Sequence, residues 1–144
     1  MEERRIGVVL GHLLGKGEGV ISQWTAGGHG KGMEKATLSS HVLDTASGSP
    51  AKGLPLELCV QGEDGEWVSV ERAITNDDGR AKLPAMPKGS ILRVRFETET
   101  YFQQNGVEKY FYPYADIVFV LRDAKHHHIP LLLSPFGYST YRGS

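Results

Sequence analysis

The sequence predicts an all-β fold, an antiparallel β-sandwich of seven to eight short strands with one short helix. Three observations carry that reading. Short apolar or alternating segments recur from residue 37 onward, clusters of Gly, Pro, Asn and Asp separate them, and one segment alone has helical character.

Taken in order, "TLSSHVLDT" is the first strand, followed by the turn cluster "ASGSPAKG". The strands "LPLELCVQ" and "WVSVERAIT" then flank "GEDGE", where Asp64-Gly65 suits a tight hairpin. "TNDDGRAKLP" reads as a loop. "SILRVRFET" alternates as a strand, and "ETYFQQNG" reads as the helix, ended by Gly106. Strands return in "YADIVFVLRD", "HHIPLLLS" and "GYSTYRG".

The first 36 residues differ in kind. They hold 9 of the 18 glycines, and "GKGEGVISQWTAGGHGKGMEK" has neither helical nor strand periodicity. Residues 1–36 are therefore expected to be a flexible Gly-rich arm and residues 37–144 the packed domain. A length of 144 residues with 40% hydrophobic content suits one such domain.

Charge narrows the partners. Lys and Arg number 16 against 17 Asp and Glu, so no net field draws the chain to nucleic acid or an anionic membrane. A small molecule or another protein is the expected partner. No apolar stretch approaches the roughly 20 residues of a membrane helix, so a soluble protein is expected. Cys59 is the one cysteine, which rules out an intramolecular disulfide and suits a reducing compartment. Within "PLELCVQ" it reads as a core filler.

The histidines carry the chemistry. Side chains alternate along a strand, so His126 and His128 project from one side and His127 from the other. His41 lies mid-way along the first strand, with Ser39 and Leu43 on its face, and Arg80 closes "NDDGR". Each has an ordinary structural reading, as a half-exposed strand histidine or a solvated turn arginine. The tail "YSTYRGS" is too particular for that reading to suffice.

Four blocks, "LSSHVLDTASGSPAKGLPLEL", "TNDDGR", "FYPYADIVF" and "HHHIPLLLSPFGYSTYRGS", resemble 5-hydroxyisourate hydrolase, the purine-degrading branch of the transthyretin-like family. The likeness runs nearly unbroken over residues 38–144. The family's motif histidine falls on His41, its arginine on Arg80, the second histidine of H-x-H on His128 and its terminal tyrosine on Tyr141. The family commonly has an aromatic residue where this chain has His127; that side chain faces away from the site, so little consequence is expected.

The resemblance implies a transthyretin-like sandwich assembled as a homotetramer, with a channel lined by the first, seventh and last strands. It further implies hydrolysis of 5-hydroxyisourate to 2-oxo-4-hydroxy-4-carboxy-5-ureidoimidazoline in urate degradation, without cofactor or metal. His41 and His128 would deprotonate the attacking water, since imidazole titrates near pH 6.5. Arg80 would supply a planar fork and fixed charge, Tyr141 and Ser144 would contact substrate with His41 and Arg80, and His126 would support a partner's tautomer.

Two rivals are disfavoured. A hormone carrier of the vertebrate transthyretin type lacks the set His41, Arg80, His128 and does not end in Tyr-Arg-Gly-Ser. A metal held by His41, His126 and His128 would be repelled by Arg80. At the other end, Arg5, Ile6, His12 and Leu13 in "RRIGVVLGHLL" resemble an amino-terminal peroxisomal address. Peroxisomal localisation through an import receptor is therefore expected, with the cytoplasm as the alternative.

Overall fold

A computed structural model of the chain describes residues 34–144; residues 1–33 of the expected arm, with the address residues Arg5, Ile6, His12 and Leu13, lie outside the described residues. Two sheets pack face to face. The first contains β1 (Lys35–Asp44), β2 (Ser49–Pro50), β5 (Arg80–Pro87), β8 (His127–Ser134) and β9 (Gly137–Thr140). The second runs β4-β3-β6-β7, made of β3 (Pro55–Gln61), β4 (Trp67–Ile74), β6 (Ile91–Phe96) and β7 (Ala115–Val120). The helix α1 is Thr98–Gln104.

Alternation in sequence becomes layering in space. Leu38 and Val42 of β1 and Ile129, Leu131 and Leu133 of β8 point inward. They meet Leu56, Leu58 and Val60 of β3 and Leu92, Val94 and Phe96 of β6 in one core. Burying each such side chain contributes about 1.5–3 kcal/mol. The folded unit takes in Lys35 and Ala36, two residues ahead of the expected start, because Ala36 is fully buried opposite Met86.

The sandwich is as expected; one expectation needs correction and two need refinement. The segment read as a loop after Asn76 contains β5, whose Ala81 and Leu83 face the core while Arg80 and Lys82 face out. Pro84 and Pro87 disguise it, and they are tolerated because, among the described residues, β5 pairs with β1 alone and its other side makes no ladder hydrogen bonds. The sandwich is also not purely antiparallel: β1 and β8 run parallel, with Ser39 opposite His128. The "GYSTYRG" strand is shorter than expected, ending at Thr140.

The turn chemistry holds as read. Gly65 takes φ +85° in the β3–β4 hairpin. Gly106 takes φ +73°, its N–H bonds to the Gln103 carbonyl and that of Val107 to the Phe102 carbonyl, a Schellman closure of α1. Cys59 is buried, as expected, and burial is the main reason its thiol is pushed up to about 11, which leaves it protonated and inert.

α1 is tied to β1 through Asp44. Tyr101 donates its phenol to Asp44 Oδ2 at 2.8 Å, while Asp44 Oδ1 accepts the N–H groups of Ala46 and Ser47 at 3.0 Å. Both Tyr101 and Asp44 are buried. Tyr101→Phe would strand a carboxylate oxygen there, so a loss of about 1.5–3 kcal/mol is expected in urea unfolding. A variant as stable as the parent would show that water replaces the phenol.

Candidate active site

The outward face of the first sheet gathers the predicted residues. On β1, Thr37, Ser39, His41 and Leu43 alternate with buried neighbours. Antiparallel pairing sets Lys82 opposite Ser39 and Arg80 opposite His41. Parallel pairing on the other side sets His128 opposite Ser39 and Pro130 opposite His41. Directly paired residues share a face. The result is two rows across three strands, Lys82–Ser39–His128 and Arg80–His41–Pro130.

Local sequence explains why Arg80 arrives there. Asn76 Oδ1 accepts the N–H groups of Asp78 and Arg80, at 2.9 and 3.0 Å, closing an Asx turn. Gly79 follows at φ +74°, and its carbonyl accepts the Val42 N–H at 2.8 Å. A Cβ on Gly79 would lie 2.5 Å from the Val42 carbonyl oxygen. Only glycine lets this turn press against β1, and that contact delivers Arg80 beside His41.

A chain of hydrogen bonds joins the histidines. Thr37 Oγ1 lies 2.6 Å from His126 Nδ1, and Ser39 Oγ lies 2.8 Å from both His126 Nε2 and His128 Nδ1. His126 is exposed and His128 half-buried. Burial, then the charge of Arg80, then His41 and His126, hold the His128 imidazole below its ordinary range. His127 points inward, with Nδ1 donating to the Lys125 carbonyl at 2.8 Å. The H-x-H geometry expected from alternation is present.

His128 stands between two recesses. A groove of about 650 Å³ runs past Thr37, Ser39, Asn76, Arg80, Lys82 and His126. A cleft of about 310 Å³ on the other side is lined by His127, His128, Tyr141 and Arg142 with the apolar residues of β7. His41, Arg80, His126 and His128 therefore come together on one face, whereas Tyr141 lies in the adjoining cleft and is largely exposed. Ser144 is exposed at the end of the chain. Gly143 bridges to His128, donating its N–H to the His128 carbonyl at 2.8 Å.

Sequence reading passed over Thr37, Ser39 and Lys82 as site residues. The signal was present for the first two: Thr37, Ser39 and His41 form a polar stripe at the period of a strand. The groove offers cationic and hydroxyl donors on one wall and imidazole nitrogens on the other. Such a surface can hold a planar, electron-rich ligand and move protons near it.

Known proteins resemble this chain over most of its length. The mouse protein named 5-hydroxyisourate hydrolase is 42% identical over 116 residues, 77% of this chain and 98% of that one. The solved structure of Klebsiella pneumoniae 5-hydroxyisourate hydrolase superposes with a TM-score of 0.65 at 37% identity, covering 76% of this chain and 100% of that one. Sea bream transthyretin in complex with thyroxine superposes with a TM-score of 0.66 at 28% identity, covering 74% and 93%. Residues 38–143 match the family model described as HIUase/Transthyretin family, and with that span, these identities and a shared sandwich, the chain belongs to the HIUase/transthyretin family.

Proposed function

We propose that this chain is a 5-hydroxyisourate hydrolase that opens the substrate's ring to 2-oxo-4-hydroxy-4-carboxy-5-ureidoimidazoline, in urate degradation. The observation that carries it is the placement of Arg80 beside His41 and of Lys82 across β1 from His128, on one face of the sheet. The names of its relatives support the same chemistry.

The geometry supports the following steps. His128, aided by His41, deprotonates a water, and the hydroxide attacks a ring carbonyl. Arg80 stabilises the oxyanion with two parallel donors and fixed charge. The carbonyl–nitrogen bond then breaks as the nitrogen receives a proton, leaving a carboxylate. Tyr141 and the Ser144 end close the substrate space, and no residue becomes covalently attached.

The deciding experiment adds purified protein to freshly generated 5-hydroxyisourate and follows its absorbance against the spontaneous decay. Acceleration is expected; none would leave the site a binding pocket, the role that the thyroxine complex shows for a relative.

A pH profile then tests the base. The His128 imidazole is held below its ordinary value near 6.5, because burial and the neighbouring positive groups disfavour its cation. A lowered value keeps the neutral base present into more acid solution. The acid limb of kcat/KM is therefore expected with a midpoint below 6.5, moving upward in high salt as the charge of Arg80 is screened. A midpoint above 6.5 would assign the base to another group.

Assembly and location complete the proposal. The second sheet carries an alternating charge row on its outward face, Arg72–Glu57–Arg95–Asp116, in which Glu57 is buried between its neighbours and Arg95 donates twice to Asp116 at 2.7 and 2.8 Å. The first sheet instead leaves Leu43 and Leu132 half-exposed on the face of the imidazoles. That contrast suits a homotetramer closed over the first sheet, to be checked by sedimentation. Arg5, Ile6, His12 and Leu13 would address the chain to peroxisomes, and Arg5→Ala should leave it in the cytosol.

A further inference from the structure

Ser39 faces a constraint of counting. Its Oγ lies 2.8 Å from a ring nitrogen of each of His126 and His128, yet a hydroxyl has one proton to donate. If it donates to His126 Nε2, it accepts from His128 Nδ1–H, and neutral His128 then has a bare Nε2. His126 in turn carries its proton on Nδ1 and donates to Thr37 Oγ1, 2.6 Å away. If Ser39 donates to His128 Nδ1 instead, every bond in the row reverses and His128 carries its proton on Nε2. The two rings are thus locked to each other's tautomer through one oxygen.

We propose that Thr37, His126, Ser39 and His128 form a proton relay, with Ser39 as the switching hydroxyl that connects the half-buried imidazole of His128 to the exposed imidazole of His126. The proposal rests on the hydrolase reading and adds to it a way for His128 to take up and give back the water's proton without becoming a cation. Hydrolysis of a cyclic amide at neutral pH consumes one water: its oxygen joins the carbonyl carbon, one of its protons ends on the leaving nitrogen, and the other is released as the acid ionises. His128 Nε2 takes a proton from water while His128 Nδ1 gives its own to Ser39 Oγ, and Ser39 passes its original proton to His126 Nε2. His126 then releases its Nδ1 proton to solvent through Thr37. The Nε2 proton of His128 goes to the leaving nitrogen as the row runs back: Ser39 returns a proton to His128 Nδ1, His126 Nε2 returns one to Ser39, and His126 Nδ1 regains one through Thr37 from solvent, which receives the proton of the ionising acid.

The charges around the row favour outward transfer. Arg80 and Lys82 of β5 face His41 and Ser39 of β1, and Arg142 lies with Tyr141 in the cleft on the other side of His128. Positive groups thus lie on both sides of His128, while the row leads to exposed His126. Burial, then Arg80, His41 and His126, also hold the His128 cation at a disadvantage. Ser39, His126 and Thr37 act through His128 and are positioning residues.

Ser39→Ala removes the switch and leaves both rings. Its kcat is expected to fall by about 10-fold or more, less than the roughly 10²–10⁴-fold of a positioned base itself because His128 remains, with KM within about twofold. Added imidazole buffer should restore part of the loss, and Ser39→Thr, which keeps the hydroxyl on a strand-favouring residue, should retain turnover. Ring 15N spectra of the wild-type protein without substrate separate this from the hydrolase reading. Protonating His126 should move the proton of His128 from Nδ1 to Nε2 at the same midpoint, and Ser39→Ala should uncouple the two. Independent titration of the rings in the wild type would overturn the relay whether or not the protein turns over 5-hydroxyisourate. Unchanged kcat in Ser39→Ala would overturn it in an active protein.

Discussion

His128→Ala and His41→Ala are each expected to lower turnover of 5-hydroxyisourate by about 10²–10⁴-fold, the range that positioned general bases supply. Both side chains lie on the outward face of the first sheet, half-buried and outside the core, so truncation should leave the fold intact. The double variant is expected to be little worse than either single one, since residues that act as one unit fail together. Losses that multiply would mean that the two imidazoles do separate work. Arg80→Lys belongs to the same experiment. Lysine keeps the charge but not the planar fork, and removing an oxyanion donor costs about 10²–10³-fold. Near-normal kcat in Arg80→Lys would reduce Arg80 to general charge attraction.

Much of this site was legible in letters because strand alternation is a strict rule. "HHIPLLLS" read as a strand is β8, residue for residue, and its period already separated His126 and His128 from His127. Alternation fixes the face a residue takes but not the neighbour it meets. The parallel β1–β8 pairing, which aligns Ser39 with His128, follows from how distant segments stack and leaves no trace within either strand. Arg80 was legible as a residue and not as part of a strand, because Pro84 and Pro87 mimic loop chemistry on a strand that bonds on one side only. Ser39 was passed over for another reason: a serine means little until two acceptors converge on it.

Gly143→Ala is expected to lower kcat by about 10²-fold with little change in stability, because a misplacement near 1 Å of a reacting group can cost that much. Gly143 sits against the ring of His128. An added Cβ would lie 2.6 Å from His128 Cδ2 and 3.1 Å from its Cβ and Cγ. Its φ lies outside the left-handed region, so the penalty is one of space and not of backbone conformation. Two responses are open to the molecule. The imidazole can swing away, which draws Nδ1 off Ser39 Oγ and re-aims Nε2, or the tail can lift, which breaks the Gly143 bond to the His128 carbonyl and carries Tyr141 with it. A fall in kcat at steady KM would mark the first, and a rise in KM the second. Gly137→Ala is the matched control, since the nearest atom to its added Cβ is Ser134 Oγ at 3.9 Å, and it should keep full activity. Parental kinetics in Gly143→Ala would show that the carboxyl-terminal tail can yield without moving His128, and would remove it from the catalytic wall.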